Sequence, residues 1–324
     1  MMHIEQTLPE SELIQKETIN AVFDLAIIGS GPAGLSAAIC ASRAKRNILL
    51  IEKALPGGSC TTACKIDNLI GFPKGILGED LAKQMEKQVF EHPITYCCES
   101  VTDILNIQKK EKIIQTDLGN TYLAKGIILA LGLEPKELKT NFTKRFLGRG
   151  ISYYAQGDVD TYKNEDVVVI GGGNCACYAA DYLSKRVNKV TLIHKSNTLK
   201  AVESLKESIM NAPNIDIMWH STVIDVFGID HVEKVKVRQE NTQNHTWLNA
   251  KAMFVYVGRI PSKDIISPEI QVDENGYIIT DESMRTNIKG VYAIGDIRNK
   301  QIRQIATAIS DGMLAAINAE RDLF

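Results

Sequence analysis

One hydrophobic pattern occurs twice along this chain: a short unbroken apolar run, a glycine-rich break, a segment of small residues, and a second apolar run. In the first copy, Phe23-Asp-Leu-Ala-Ile-Ile-Gly29 has strand length and leads directly into Gly29-Ser30-Gly31-Pro32-Ala33-Gly34. The small residues from Leu35 to Arg43 predict a helix, and Asn47 to Ile51 predict a second strand that ends in Glu52. In the second copy, Asp166 to Ile170 predict a strand, Gly171-Gly172-Gly173-Asn174-Cys175-Ala176 a break, Cys177 to Ser184 a helix, and Lys189 to His194 the next strand. Short apolar runs without polar alternation are those of strands covered on both faces, as in parallel sheets.

Each copy is a βαβ unit with dinucleotide-binding punctuation. Glycines permit the tight turn and the close approach of a pyrophosphate, and a helix N-terminus receives its charge. In the first unit an acid closes the second strand, where ribose hydroxyls are bound. Gly29, Ser30, Gly31, Pro32, Ala33, Gly34, Glu52 and Lys53 are therefore candidate cofactor-binding residues, with Gly171, Gly173 and Asn174 in the second unit. No acid closes the second strand of that unit, at His194, so NADH is not signalled.

Between the units lie the apolar run Gly126 to Gly132 and a polar, proline-containing stretch, 134–149; after them Met253 to Pro261 makes a similar strand and break. The expected fold class is α/β, with two Rossmann-like dinucleotide-binding domains, one inserted in the other. Residues 21–133 and 262–324 would form the first domain and 134–261 the inserted one, with hinges near 132–136 and 258–263.

Composition narrows the class. With 324 residues, 44% hydrophobic and 23% charged, the chain has material for two globular domains. A net charge of -2 argues against a nucleic-acid binder. Residues 1–20 carry Glu5, Glu10, Glu12 and Glu17 and no basic segment, so they read as an acidic extension rather than a secretory signal. No apolar run reaches the ~18 residues of a transmembrane helix, and a cytoplasmic location is expected. Seven cysteines without an export signal do not suggest a disulfide framework, and the six histidines show no metal-ligand spacing, so no metal is expected.

Cys60 and Cys64 stand four apart, on one face if the segment is helical. Ideal helical geometry separates their β-carbons by ~5–6 Å, wider than the ~3.8 Å of a disulfide, so a bridge would need a distorted turn and would reduce readily. Two buried free thiols are the other reading. The remaining five cysteines, Cys40, Cys97, Cys98, Cys175 and Cys177, read as structural.

The C-terminal motifs Asp273-Glu-Asn-Gly-Tyr-Ile-Ile-Thr280-Asp281, Gly290-Val-Tyr-Ala-Ile-Gly295-Asp296, Arg303-Gln304-Ile305-Ala-Thr307 and Asp311-Gly312 resemble those of low-molecular-weight thioredoxin reductases, and the similarity runs from about residue 23 onward. That resemblance implies the thioredoxin-reductase fold, FAD, and a homodimer. It places Asp296 on the ribityl chain, although Asp296 could instead cap the following helix. It sets Arg303, Gln304 and Ile305 against the flavin, with Gly58, Ser59, Asn68 and Gly132 also at the cofactor.

In the same family the redox loop reads G-x-S-Y-C-x-x-C-D. Here Gly150-Ile-Ser-Tyr-Tyr154-Ala-Gln-Gly157-Asp158 has Tyr154 and Gly157 in place of both cysteines. Tyr154 either stacks on a flavin or fills the cavity. The NADPH-gripping H-R-R-x-x-x-R has become His194-Lys195-Ser196-Asn-Thr-Leu-Lys200, and the paired glutamates of the second unit are Tyr178 and Ala179, so NADPH specificity is eroded.

The branch called diflavin-linked disulfide oxidoreductases also lacks C-x-x-C, and similarity to it implies a second FAD in the chain. The expected function is exchange of two electrons between flavin and the Cys60/Cys64 dithiol, possible in the thiol-to-flavin direction, with a thiol or disulfide substrate, protein or small molecule. The alternatives are an NADPH-dependent reductase of thioredoxin-reductase, ferredoxin or flavodoxin type, and a flavin redox sensor without turnover.

Overall fold

The computed structural model describes residues 22–63, 65–138, 140–262 and 265–324; the acidic stretch 1–20 and Cys64 lie outside the described residues. The first strand, Val22–Ile28, is flanked in parallel by Ile48–Glu52 and by Thr121–Leu129. Thr95–Cys98 extends this sheet on one side, while Val291–Ala293 pairs in parallel with Thr121–Leu129. Antiparallel strands Lys112–Thr116 and Val101–Leu105 complete seven strands. The central apolar runs are buried on both faces, as their lack of alternation requires.

Helix Pro32–Arg43 packs on one face against the last helix, Ile305–Leu323. Their contact surfaces are alanines, including Ala37, Ala38, Ala41, Ala315, Ala316 and Ala319, and small side chains let the two backbones approach closely. The first helix begins at Pro32, three residues ahead of the expected Leu35, because proline's fixed φ suits a first helical turn and its missing N–H is not needed there. The helix of the second unit likewise starts early, at Asn174 rather than Cys177.

The second domain has a five-stranded, all-parallel sheet in the order Ile151–Ser152, Ala252–Tyr256, Asp166–Gly171, Lys189–Ile193, Ile215–Met218. Helices Asn174–Ser184 and Glu203–Asn211 contribute to the core on one face. A three-stranded antiparallel sheet, Ser221–Phe227, Lys234–Gln239 and His245–Asn249, covers the other with Val223, Val226, Val235 and Val237. The chain crosses between the domains twice, and the crossings pair with each other as antiparallel strands Leu133–Pro135 and Arg259–Pro261.

Candidate active site

The first glycine loop divides its work among three residues. Gly29 has φ +103°, a turn conformation that glycine adopts without strain. Gly34 packs so tightly that a β-carbon would collide with the Gly29 carbonyl and stand 3.3 Å from Cβ of Ala130. Gly31 faces open space, with no atom within 4 Å of a β-carbon built on it. Gly31 also caps helix Pro32–Arg43 in extended geometry without a side-chain hydrogen bond, and Ala33 lies buried in its first turn. The amides of that turn are oriented for an anion at the open glycine.

Glu52 anchors the loop from the next strand. Its Oε2 accepts from the Ser30 amide at 2.7 Å and the Ser30 hydroxyl at 2.9 Å, and its Oε1 accepts from the Ala54 amide at 3.1 Å. Ser30 is fully buried. Lys53 turns the other way and donates to Glu134 at 2.9 Å.

A second segment is laid onto this loop. The Gly57 amide donates to the Ser30 carbonyl at 2.8 Å, and a β-carbon on Gly58 would be 3.0 Å from Cα of Gly31. Gly58–Cys60 is a three-residue 3₁₀ turn, entered through Gly57 at φ 112°. No α-helix starts at Cys60, so no helix dipole stabilises a thiolate there. Cys60 is a free thiol, 4% exposed, packed with Ile66, Leu81 and Ala82 and touched by Ile305. Burial pushes the thiol up to about 11; the charge of Asp296 adds to the rise and that of Arg259 opposes it. The neighbouring Ser59 hydroxyl accepts from Nη1 of Arg259, which also donates to the Leu133 carbonyl at 3.1 Å.

Asp296 lies in the 3₁₀ turn Gly295–Ile297 that follows strand Val291–Ala293. Its Oδ1 is buried with no hydrogen-bond partner. Burial pushes its carboxyl above the usual range, against the pull of Lys300, Arg303 and Arg259. A buried acceptor without a donor is costly unless a ligand supplies one. Arg303 donates to the Asp296 carbonyl at 3.2 Å and the Arg298 carbonyl at 3.3 Å, with its guanidinium 3.9 Å over the Tyr277 ring. Gln304 caps the last helix and accepts from the Asn68 side chain at 3.1 Å, so the Cys60 segment and the helix N-terminus meet here. Gly132, at φ +62°, sits just before the first crossing strand with open space around it.

The second glycine loop repeats the arrangement. A β-carbon on Gly171 would stand 2.8 Å from Cβ of Ala176, whereas Gly173 faces open space and caps its helix in extended geometry. Asn174 Oδ1 accepts from the Val202 amide at 2.9 Å. His194 is buried against Gly172, with Nε2 3.0 Å from the Thr198 carbonyl, and so forms a wall of the loop. Lys195 and Lys200 are exposed.

Tyr154 bends back over Gly157. A β-carbon on Gly157 would stand 2.5 Å from Cδ1 of the ring, so positions 154 and 157 together hold one aromatic side chain and the space it needs. The Tyr154 amide donates to the Ser152 hydroxyl at 2.9 Å.

Three site residues escaped the sequence reading: Tyr178, whose hydroxyl donates to Asp67 Oδ2 at 3.0 Å across the domain boundary, Asp67 itself, and Arg259. Only Tyr178 left a signal, its replacement of a family glutamate.

A family model described as pyridine nucleotide-disulphide oxidoreductase matches residues 23–312. A 34.2 kDa protein in the rubredoxin operon of Clostridium pasteurianum is 38% identical over 298 residues, 92% of this chain and 96% of that one. Thioredoxin reductase of Peptoclostridium acidaminophilum is 37% identical over 306 residues, 93% of this chain and 96% of that one. Among solved structures, Lactococcus lactis thioredoxin reductase in its FR conformation superposes with a TM-score of 0.88 at 33% identity, covering 93% of this chain and 99% of that one.

Proposed function

Since this chain belongs to the pyridine nucleotide-disulphide oxidoreductase family, we propose that it is an FAD-dependent disulfide oxidoreductase whose thiol couple is Cys60 with Cys64. The observation that carries this reading is a pair of placements: the Tyr154 ring fills the space of any side chain at Gly157, while the turn Gly58–Cys60 lies on the first glycine loop, a β-carbon on Gly58 standing 3.0 Å from Cα of Gly31.

The residues fit FAD. Gly31 and the first turn of Pro32–Arg43 would take the pyrophosphate, Glu52 the ribose hydroxyls, and the unpartnered Oδ1 of Asp296 a ribityl hydroxyl. Bound there, FAD supplies a two-electron acceptor and donor. The protein's own part is to shield and orient. The apolar wall of Ile66, Leu81 and Ala82 excludes water from Cys60, and the charge of Arg259 opposes the upward push that burial gives its pKa. In oxidation the two thiols give up two electrons and two protons and close a disulfide; reduction reverses this. The inserted domain, taken as 134–261, offers a second pyrophosphate seat at Gly173, which would take a second FAD in place of NADPH.

The open second loop and the similarity to thioredoxin reductases also support an NADPH-dependent reductase. Quantifying FAD released by denaturation, together with anaerobic additions of dithiothreitol or NADPH, separates the two. About two FAD per chain, bleached by dithiol and not by NADPH, with bleaching abolished in Cys60→Ser, is the expected result. One FAD bleached by NADPH overturns it.

A further inference from the structure

We infer that Asp311 is a positioning residue for FAD: from inside the last helix it fixes the turn that aims Asp296 at the ribityl chain. The inference rests on FAD taking the first glycine loop, and it concerns a carboxylate that acts through Asp296 rather than on the cofactor. Asp311 lies in the second turn of helix Ile305–Leu323, and its side chain and that of Lys300 are each 9% exposed. Its Oδ2 accepts from the Gly295 amide at 3.0 Å and from Nζ of Lys300 at 2.9 Å, with Nε of Arg298 3.6 Å away. Gly295 has φ +73° and directly precedes Asp296, so the bond to its amide holds the turn Gly295–Ile297 at its first residue.

A carboxylate withdrawn from water needs amides and cations around it, and Asp311 draws all of these from the segment that carries Asp296. Lys300 also donates to Oγ1 of Thr307 at 3.2 Å. That hydroxyl accepts from the Gln304 amide at 3.2 Å, in the cap that starts the same helix. Ala33, in the first turn of Pro32–Arg43, is met from both sides: a β-carbon on Gly312 would stand 2.2 Å from its carbonyl oxygen, and one on Gly295 3.0 Å from its Cβ. One carboxylate therefore joins the turn bearing Asp296 to the helix start bearing Gln304, beside the turn that faces the open Gly31. Oδ1 of Asp296 has no bond to steer it, so its direction is set by the backbone of its turn. Asp311 anchors that backbone at the Gly295 amide, and Arg303 anchors it at the Asp296 carbonyl, 3.2 Å away. Supporting hydrogen bonds of this kind hold a binding group in its productive geometry.

The test measures the affinity of the full-length chain, stripped of flavin, for FAD and for ADP, which has the adenosine and pyrophosphate but no ribityl chain. Asp311→Ala is expected to weaken FAD roughly tenfold and to leave ADP unchanged. Asp311→Asn keeps an acceptor for the Gly295 amide and recovers most of the affinity. Lys300→Met gives a smaller loss confined to FAD, and carries the test if Asp311→Ala does not fold. In an Asp296→Ala background, Asp311→Ala has no further effect, because the group it aims is already gone. Equal losses for FAD and ADP overturn the inference and assign Asp311 to general packing, as does an undiminished loss in the Asp296→Ala background. Wild-type FAD affinity in Asp311→Ala or in Lys300→Met overturns the inference alone, whereas a wild-type chain that holds no FAD overturns the proposed function with it.

Discussion

The ring of Tyr154 occupies the volume that a side chain at Gly157 would need, with Cδ1 2.5 Å from the place of its β-carbon. The two departures from the redox-loop pattern are therefore one change. A cysteine restored at position 157 alone meets the ring, and one restored at position 154 alone has no partner. Gly157→Cys is expected to destabilise the protein by about 1–3 kcal/mol through overpacking, and Tyr154→Cys combined with Gly157→Cys to relieve that strain. Thermal unfolding of the single and double variants checks this. Equal losses would show that the ring swings away freely.

The glycines of the first loop should separate folding from cofactor retention. Gly34→Ala places a methyl against the Gly29 carbonyl and is expected to cost about 1–3 kcal/mol of stability or to abolish soluble protein. Gly31→Ala meets no atom within 4 Å and leaves the fold intact, so its effect should be confined to less FAD released per folded chain. Melting temperature and flavin content, measured on the same preparations, report the two effects independently.

Thiol reactivity should follow burial rather than position in the chain. Cys98 and Cys175 are exposed, while Cys60 and Cys177 are buried and each is pushed up to about 11. At pH 8 a thiol near 11 carries about 100-fold less thiolate than one near 9, before access is counted. Titration with a chromogenic disulfide reagent under native conditions is expected to label Cys98 and Cys175 quickly and Cys60 and Cys177 only on unfolding. Early labelling of Cys60 would contradict the packing described around it.

Acid stability should depend in part on Asp322. Its oxygens accept from Arg285 at 2.6 and 2.9 Å and from the Tyr292 hydroxyl at 2.8 Å, and these bonds hold its carboxyl below the ordinary value of 3.8. A carboxylate with a lowered folded-state pKa contributes fully above its unfolded value and loses that contribution as pH falls through the folded one. Asp322→Asn is expected to lower the melting temperature modestly at neutral pH and to flatten its decline below pH 4. Parallel melting curves for variant and wild type from pH 7 to pH 3 would show that the pair contributes nothing.

The glycine loops and their strands were legible because unbroken apolar runs end in glycines whose geometry few other residues tolerate. Both helix starts were read three residues late: Pro32 and Asn174 sit in first turns, where no earlier hydrogen bond disciplines the sequence and a glycine-rich stretch looks like loop. The contacts Tyr178 to Asp67 and Arg259 to Ser59 span 111 and 200 residues and depend on how one domain sits on the other, which no local pattern encodes. Nor was the burial of Cys60 legible, since its apolar surroundings come from the later helix Gly78–Phe90 and from Ile305. The redox-loop segment was half legible: Tyr154 and Gly157 could be read as departures from the pattern it resembles, but not the ring lying over the glycine.

Strand Val291–Ala293 docks beside Thr121–Leu129, and helix Ile305–Leu323 packs on Pro32–Arg43, so the outer domain is assembled from both ends of the chain. The inserted domain is contiguous. During synthesis it is complete while the outer sheet still waits for its last strand, with the Ile127–Leu129 end of strand Thr121–Leu129 unpaired and able to pair with other chains, its first half being covered already by Lys112–Thr116. The order of maturation is therefore inner domain first, and the turn bearing Asp296 packs against Ala33 of the first glycine loop only after it has left the ribosome.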